Sequence, residues 1–531
     1  MTPRFAEDVM ESGRGGRPYS PTPYDHVTYP SRPFAQTRPH HLATVAALYG
    51  MSPAPPSKSR VLELGCGAGG NIVPMAYQSP KSEYVGIDLS RTAIEAGQRM
   101  TRDLGLSNVS LQHRDIMDVS PADGRFDYII AHGVYSWVPQ AVRDKILSVF
   151  AANLTPHGVA YVSYNALPGS HLRNLVRSIL HFHVRGVTDP LARAAQSRKL
   201  MQFLASAAAE DQIYGFILRD QQHRIGSLPD EVFIHDDLDE GSTPFFLYQV
   251  VEAAARHGLQ YLADSDFPIR GLRGRSEDIC RLLSGLPEAE IAVREQYLDF
   301  IDGRSFRASL FCHHEAALNR PADRAGIKRL SLSGALEPAD PMVGLAAADA
   351  AVFKTLSGAT LRTNQPLSKA ALVAMAQAQP QAIAFDDLVA RALSLLGGAA
   401  PVCTPDEIDA LAETLFEAVR TGLIEAYDEP PRLTTTISER PKASGLARWQ
   451  LATGAALVTN LLHGAVQCED STLRCFIPLV DGTRTVEELR GDLQQALDGA
   501  PETPSGGRQP ITIEAVQRSL EVMARLALLE A

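Results

Sequence analysis

Short apolar runs alternate with amphipathic segments through the first third of the chain. The runs are four to six residues long, which suits strands that are buried on both faces of a sheet. Between the runs, the apolar residues recur with the spacing of a helix face. This alternation predicts a parallel, doubly wound sheet with helices on both sides. The predicted strands cover residues 61–64, 84–87, 109–112, 126–131 and 159–163.

The strand pattern resumes after a long helical stretch. Residues 174–224 predict helices without a strand signal, and an amphipathic helix at 244–257 precedes two more apolar runs at 259–262 and 307–312. We expect these runs to be the sixth and seventh strands of the same sheet. The predicted fold class is therefore α/β, a Rossmann-like seven-stranded sheet with a helical insertion at 186–243, followed by mainly helical C-terminal domains.

Beyond about residue 325 the pattern changes to alanine-rich helices. Thr404, Pro405 and two following acids predict a helix start, and a linker rich in proline, threonine and serine occupies 428–445. We expect two C-terminal units that look like a weak duplication of a small winged-helix-like fold. The helix predicted at 405–420 carries five acids against one arginine, which disfavours contact with DNA phosphates and favours a role in protein interaction.

Composition and charge narrow the classes of function. The 531 residues allow three or four domains at roughly 150 residues each. A net charge of −11 disfavours a general nucleic-acid role. No apolar stretch approaches the ~20 residues of a membrane span, and residues 1–24 lack a signal-peptide core and look like a disordered lead-in. Six scattered cysteines fit reduced thiols in a cytoplasm.

A glycine-rich turn follows the first predicted strand. Glycines allow unusual backbone dihedrals there, and the amides at the start of the next helix can bind a polar ligand. Gly65, Gly67 and Gly70 match the dinucleotide fingerprint G-x-G-x-x-G, a weak signal by itself. Glu63 with Gly65, Gly67 and Gly69 also matches acidic-x-G-x-G-x-G, which serves S-adenosylmethionine. The carboxylate suits a sulfonium and an amino-acid tail and would repel a pyrophosphate.

Further acids stand at the ends of the next two strands. Asp88 lies 19 residues after Gly69, a spacing at which an acid accepts hydrogen bonds from ribose hydroxyls in either ligand. After the third strand, Asp115 can accept from the exocyclic amine of adenine while Ile116 packs on the ring. This pair favours S-adenosylmethionine over a dinucleotide.

The segment from Glu63 to Gly158 resembles a class I S-adenosylmethionine-dependent methyltransferase. Three further segments, 29–37, 132–139 and 163–169, resemble bacterial methyltransferases that carry a methyltransferase regulatory domain, and 235–262 resembles that domain itself. Some members of this group are protein-lysine methyltransferases that act on bacterial outer-membrane proteins. The resemblance thus implies a class I methyltransferase sheet that the regulatory segment helps to complete.

The resemblance covers about residues 24–315, with three departures. Arg38 and His40 stand where His and Asp are expected, and Ser170 stands where an aromatic residue is expected near the acceptor pocket. The expected domains are an N-terminal arm and cofactor cap at 1–50, a methyltransferase core at 51–185, the helical insertion at 186–243, the regulatory segment at 244–325, a winged-helix-like domain at 326–435 and a C-terminal helical domain at 436–531.

The expected site residues form two groups. In the acceptor slot, Tyr135 and Trp137 line the walls, Tyr164 or Asn165 orients the nitrogen, and His132 is the candidate proton acceptor. A plain structural role is the alternative for His132 and for the two wall residues. The cofactor is expected to contact Tyr29, Gln36, Thr37, Glu63, Gly65, Cys66, Gly67, Gly69, Asn71, Asp88, Leu89, Asp115, Ile116 and His132.

These expectations describe a methyltransferase that acts on an amine, and the resemblance implies protein lysine. A lysine must lose its proton before it attacks; aromatic walls favour the neutral amine and hold the methylated cation. The alternatives are transfer to a small molecule or biosynthetic intermediate, and a catalytically silent cofactor-binding scaffold. We expect a protein or small-molecule acceptor, no nucleic acid and a cytoplasmic protein, with a homodimer contact on the helical insertion. No metal is expected, because the ligand types at 312–315 are adjacent, a poor spacing for zinc.

Overall fold

The structure, a computed structural model, describes most of the chain. The described residues are 22–239, 241–265, 275–287, 290–320, 322–342, 344–347, 349–355, 358–397, 403–498 and 510–530. Most of the predicted lead-in, residues 1–21, lies outside the described residues. Within the described stretches, no helix is long and apolar enough to cross a membrane.

Seven strands form one mixed sheet. They are β1 (Arg60–Leu64), β2 (Glu83–Asp88), β3 (Val109–His113), β4 (Phe126–Ala131), β5 (Leu154–Asn165), β6 (Leu259–Asp264) and β7 (Phe306–His313). Their order is β3-β2-β1-β4-β5-β7-β6, and β7 runs antiparallel to both of its neighbours. The other pairs are parallel. The predicted seven-stranded α/β fold is confirmed, including the two strands after the insertion.

Helices flank this sheet, and some of them pack around a separate apolar core. In chain order the helices are α1 (Pro23–His26), α2 (Pro39–Leu48), α3 (Ile72–Gln78), α4 (Arg91–Asp103), α5 (Gln140–Asn153), α6 (Ser170–His183), α7 (Pro190–Ala207), α8 (Ile213–Ser227), α9 (Asp230–Asp237), α10 (Leu247–Ala255), α11 (Glu277–Ser284) and α12 (Ile291–Asp302). Ser90 caps α4 as predicted, because its hydroxyl accepts from the amide of Ala93.

Helices α6 to α9 have an apolar core of their own, which includes Val176, Leu180, Met201, Leu218 and Phe233. On the outside of this block the rings of Phe182, Phe203 and Phe216 are well exposed. The block formed by α6 and the insertion therefore carries apolar surface beyond what its own core uses. The homodimer contact expected there stays a prediction.

The C-terminal half consists of two helical units with short strands. The first holds β8 (Ser331–Ser333), β9 (Glu337–Pro338), β10 (Ala351–Lys354), β11 (Thr360–Thr363), α13 (Pro366–Ala378), β12 (Ile383–Ala384), α14 (Phe385–Leu395), α15 (Pro405–Arg420) and β13 (Glu425–Tyr427). The second holds α16 (Gly445–Ala452), β14 (Leu457–Thr459), β15 (Ala465–Gln467), α17 (Ser471–Leu479), α18 (Val486–Asp498) and α19 (Ile513–Arg525). The predicted helix start is confirmed, since Thr404 forms a capping box with Glu407.

The two faces of the sheet have different partners. Alternate residues of β1 show this: Val61 belongs to a core that also contains Met375 and Leu415 of the first C-terminal unit, whereas Leu62 belongs to a core that contains Phe150 of α5. Each large buried side chain stabilises the fold by about 1.5–3 kcal/mol. Both faces of the sheet are therefore covered by other segments of the chain. A ligand can bind at the carboxyl ends of the parallel strands.

Candidate active site

The glycine turn between β1 and α3 has the backbone that its sequence predicts. Gly65, Gly67 and Gly69 have φ of 75°, 54° and 78°. A Cβ at Gly65 would lie 2.5 Å from Cγ2 of Val134, whereas a Cβ at Gly67 would meet no described atom within 4 Å. Gly67 therefore leaves its side of the turn open, as close approach of a ligand requires. Cys66, between these glycines, is buried.

Glu63 lies at the end of β1 and is only 3% exposed. Its Oε1 accepts a hydrogen bond of 2.7 Å from Nδ2 of Asn71, while Oε2 has no partner among the described residues. Burial raises the pKa of Glu63 to about 8. A buried carboxylate oxygen without a partner costs free energy, and a cationic group such as the ammonium of S-adenosylmethionine would offset that cost. The residues here fit this cofactor.

The carboxylate of Asp88 joins the turn to the end of β2. Oδ2 accepts from the amide of Gly67 and Oδ1 from the amide of Ser90, both at 2.8 Å. Burial raises the pKa of Asp88. Each oxygen keeps a lone pair for a ribose hydroxyl, and the next residue, Leu89, is half exposed.

The acid after β3 has a local partner as well. Asp115 caps the short 3-10 helix Ile116–Asp118, since its Oδ1 accepts from the amide of Met117 at 2.9 Å. Ile116 is buried against the side of the sheet that holds Leu62 and Ile87. Because β1, β2 and β3 are adjacent and parallel, Glu63, Asp88 and Asp115 stand along one edge of the sheet.

The N-terminal arm lies over this edge. The Ser31 hydroxyl accepts from the amide of Gly70 at 2.7 Å, and the amide of Phe34 donates to Oδ1 of Asn71 at 2.9 Å. Thr37 is fully buried, and its hydroxyl oxygen accepts from Nδ2 of Asn71 at 3.0 Å. The arm is therefore bonded to the glycine turn at three points.

Two arm residues that were expected to contact the cofactor form hydrogen bonds to other segments of the chain. The hydroxyl of Tyr29 donates to Asp236 on the insertion, and burial raises the pKa of this tyrosine to about 12. The backbone carbonyl of Gln36 accepts from the hydroxyl of Ser265, which follows β6, at 2.6 Å. These bonds tie the arm to the insertion and to the regulatory segment.

His132 follows β4 and stands next to the arm. Its Nδ1 lies 2.9 Å from the hydroxyl of Tyr161, and its ring centroid lies 3.8 Å from that of Phe34. Burial lowers the pKa of His132 to about 3, and the nearby charge of Arg32 acts in the same direction. The imidazole is neutral at pH 7, and so low a pKa makes it a weak proton acceptor.

The walls of the expected acceptor slot have aromatic and cationic neighbours. Tyr135 is 2% exposed, and its ring lies edge-on to Phe245 at 5.4 Å. Trp137 is partly exposed, and the guanidinium of Arg177 lies 5.6 Å from its ring centroid. A cation over Trp137 is the arrangement that a methylated ammonium also favours.

Tyr164 and Asn165 point to different surroundings. The hydroxyl of Tyr164 lies 3.0 Å from that of Ser309 on β7, in the buried interior of the sheet. Asn165 is partly exposed, and its Nδ2 donates to the hydroxyl of Ser242 at 3.0 Å. That bond leaves Oδ1 of Asn165 as a partly exposed acceptor, whereas the hydroxyl of Tyr164 is buried.

The structure describes all three departures from the family pattern, and two of them form a side-chain bond. Arg38 pairs with Glu425 at 3.3 Å and lies over the ring of Tyr427, in the first C-terminal unit. Burial lowers the pKa of His40 to about 4. Ser170 is buried and donates to the carbonyl of Ser305 at 2.9 Å. Ser170 therefore has a structural bond at the start of α6.

One residue at this site has no signal in the local sequence. His463, in the loop between β14 and β15, lies 392 positions after Asn71, and its Nε2 is 2.9 Å from Oδ1 of that asparagine. No spacing rule connects two residues so far apart. Ser31 and Phe34 were also missed individually, although the segment that contains them was expected to cover the cofactor.

Three family models match the chain. The model described as "Methyltransferase domain" matches residues 56–208, the one described as "Predicted methyltransferase regulatory domain" matches 229–313, and "PKMT, C-terminal winged helix domain" matches 439–528. The regulatory model spans β6 and β7, so the regulatory segment supplies two strands of the catalytic sheet.

One relative of known sequence matches over nearly the whole chain. The uncharacterized protein RP789 of Rickettsia prowazekii is 33% identical over 483 residues, which cover 89% of this chain and 86% of that protein. The chain belongs to the S-adenosylmethionine-dependent methyltransferases that carry a methyltransferase regulatory domain. A second protein of that organism, RP028, is 36% identical to this methyltransferase over 240 residues, 45% of this chain and 96% of that protein.

The solved structure of PKMT2 from Rickettsia typhi resembles this methyltransferase with a TM-score of 0.85 and 29% identity, covering 94% of this chain and 99% of that one. The same protein in complex with AdoHcy gives a TM-score of 0.84 at 28% identity over the same shares of the two chains. The predicted family, activity and cofactor are thereby confirmed: the enzyme transfers methyl groups from S-adenosylmethionine.

Proposed function

We propose that this methyltransferase transfers a methyl group to the lysine side chain of a protein. The observation that carries the proposal is the likeness to PKMT2 over 94% of the chain. That likeness extends beyond residues 56–208 of the methyltransferase model and includes the segments expected to surround the acceptor slot. The match of the PKMT winged-helix model to residues 439–528 supports the same acceptor class.

The cofactor would be held by the strand ends described above. Glu63 would bind its ammonium, Asp88 its ribose, and Asp115 with Ile116 its adenine. S-adenosylmethionine supplies an electrophilic methyl group on a sulfonium sulfur. The chain's own contribution is to orient the incoming amine toward that methyl group and to exclude water, since positioning supplies much of the acceleration in such reactions.

For the acceptor, we propose that Trp137 and Tyr135 form the walls of the slot and that Asn165 orients the nitrogen. The pKa near 3 of His132 supports a role as a neutral wall beside Phe34. A neutral imidazole adds no positive charge beside the sulfonium of the cofactor. The lysine would lose its proton to solvent before it enters the slot, where desolvation favours the neutral amine.

The proposal is tested by incubating the full chain with methyl-labelled S-adenosylmethionine and a bacterial lysate, followed by separation of proteins from small molecules. We expect label in protein, and methyl-lysine after digestion and mass spectrometry. The matched control is Glu63→Gln, which should incorporate much less label. Label found only in small molecules would contradict the lysine proposal and favour a biosynthetic intermediate as the acceptor.

A further inference from the structure

The loop between β14 and β15 reaches from the C-terminal domain (residues 436–531) to the cofactor site. At its tip His463 is fully buried, and its Nε2 lies 2.9 Å from Oδ1 of Asn71. Asn71 is the residue that precedes α3 and also holds Glu63 and the arm. A side chain from the end of the chain is thus part of the network around the glycine turn.

The neighbours of Asn71 determine which ring nitrogen of His463 carries the proton. The amide of Phe34 donates to Oδ1 of Asn71 at 2.9 Å, and Nδ2 of Asn71 donates to Oε1 of Glu63 at 2.7 Å. These two bonds show which atom of the asparagine amide is the oxygen and which is the nitrogen. Since Oδ1 can only accept, Nε2 of His463 must donate, and Nδ1 is left as an acceptor without a partner in the described part of the chain.

The backbone at His463 is in an unusual conformation. Its φ is 61°, in the left-handed region that a residue with a Cβ disfavours. The loop is held there from several sides. Oδ1 of Asn460 accepts from the amides of Leu462 at 3.1 Å and Gly464 at 2.6 Å, and the carbonyl of Asn460 accepts from Gln78 of α3 at 3.2 Å. An unfavourable conformation that is so strongly supported suggests a functional reason for the side chain.

The C-terminal domain also contacts the core away from this site. Nε1 of Trp449 donates to Asp103 of α4 at 3.0 Å, and the hydroxyl of Tyr77 accepts from the amide of Gly445 at 2.8 Å. The docking of the domain therefore does not depend on His463 alone. This separation allows the role of the histidine to be distinguished from the role of the domain contact.

We propose that His463 is a positioning residue of the cofactor site, through which the C-terminal domain contributes to binding S-adenosylmethionine. Its Nε2–H holds the amide of Asn71 in the orientation that donates to Oε1 of Glu63 and leaves Oε2 for the ammonium of the cofactor. The proposal rests on the role proposed above for Glu63.

The expected effect of His463 on cofactor affinity follows from the hydrogen bonds around the buried carboxyl group of Glu63. Without the bond from His463, the amide of Asn71 has one donor fewer to hold its direction. Glu63 then loses part of the donation that favours its ionised form, and its pKa rises further above its already high value. A carboxyl group that is protonated more of the time binds an ammonium more weakly.

The test measures binding of two ligands to the full chain by calorimetry. S-adenosylhomocysteine keeps the amino-acid tail, whereas 5′-methylthioadenosine keeps the nucleoside and lacks that tail. In His463→Gly the side chain is removed and the left-handed backbone is relaxed, so the variant should fold. We expect affinity for S-adenosylhomocysteine to fall about tenfold and affinity for methylthioadenosine to stay unchanged. In the methyltransferase assay, KM for S-adenosylmethionine should rise about tenfold with kcat preserved.

Two matched variants complete the design. His463→Gln keeps a donor at a similar reach and should recover most of the affinity. Trp449→Phe removes a domain contact distant from the turn and should bind both ligands as the wild type does. Equal losses for both ligands in His463→Gly, or wild-type affinity for S-adenosylhomocysteine, would overturn the inference. A Glu63→Gln variant with unchanged affinity would instead overturn the proposed role of Glu63, so the two failures are distinguishable.

Discussion

Nδ2 of Asn71 donates a hydrogen bond of 2.7 Å to Oε1 of Glu63, and the other oxygen of this buried carboxylate has no partner among the described residues. One half of the carboxylate is therefore satisfied by the protein itself. The other half matches the ammonium of an amino-acid tail. The predictions below follow from this pair and from the side chains around it.

Replacement of Glu63 by Gln should weaken binding of S-adenosylhomocysteine by about ten- to a hundredfold, since a hydrogen bond to a charged group contributes about 1.5–3 kcal/mol. The amide has nearly the shape of the carboxyl, so the fold should be retained. Titration calorimetry measures the affinity, and thermal unfolding checks the fold. Methylthioadenosine, which lacks the amine, is the control ligand and should bind as it does to the wild type.

Binding of S-adenosylhomocysteine should also depend on pH through Glu63. The pKa of this carboxyl is about 8 in the free protein, and pairing with an ammonium should lower it, so binding releases a proton below that pH. Affinity should rise as pH increases between about 6 and 7.5, by at most tenfold per pH unit. Calorimetry at several pH values measures this slope. If the slope persists in Glu63→Gln, another group is responsible.

Replacement of Asp88 by Ala should weaken binding of both S-adenosylhomocysteine and methylthioadenosine, because both carry the ribose. The expected loss is about 1–3 kcal/mol. Asp88 also accepts from the amides of Gly67 and Ser90, so Asp88→Asn, which keeps an acceptor, should lose less than Asp88→Ala. Unchanged affinity in Asp88→Ala would count against the proposed place of the ribose.

Tyr164→Phe and Asn165→Ala should separate stability from catalysis. The hydroxyl of Tyr164 is bonded to Ser309 in the interior, so its removal should lower the free energy of unfolding by about 1 kcal/mol and leave kcat nearly unchanged. Asn165→Ala should lower kcat with little effect on stability. Denaturant unfolding and the methyltransferase assay measure the two quantities. The reverse pattern would assign the orienting role to Tyr164.

His132→Phe should keep much of the activity of the enzyme and its pH profile. A histidine whose pKa is about 3 does not titrate between pH 6 and 9, and a phenyl ring preserves the contact with Phe34. His132→Ala, which removes the ring, should be less active than His132→Phe. Loss of the acidic limb of the kcat/KM profile in His132→Phe would show that the histidine accepts a proton after all.

Much of this enzyme could be predicted from the sequence because the signals are local. The strand at Arg60–Leu64, the positive φ of Gly65, Gly67 and Gly69, and the cap at Thr404 each follow from residues within a few positions of one another. The spacing from Gly69 to Asp88 is equally local, since one helix and one strand separate the two. Such features depend on backbone sterics and short-range hydrogen bonds, which the order of residues defines.

Which distant side chains meet at the site depends on packing between segments that are far apart in the chain. Tyr164 and Asn165 are neighbours in sequence, yet the alternation of a strand sends one to Ser309 in the interior and leaves the other partly exposed. His463 reaches Asn71 across 392 positions because the C-terminal domain packs along α3. Local residue patterns are sufficient to predict the glycine turn and the fold around it. Packing between segments that are far apart in the chain decided which donors and acceptors meet there, because no local pattern encodes that contact.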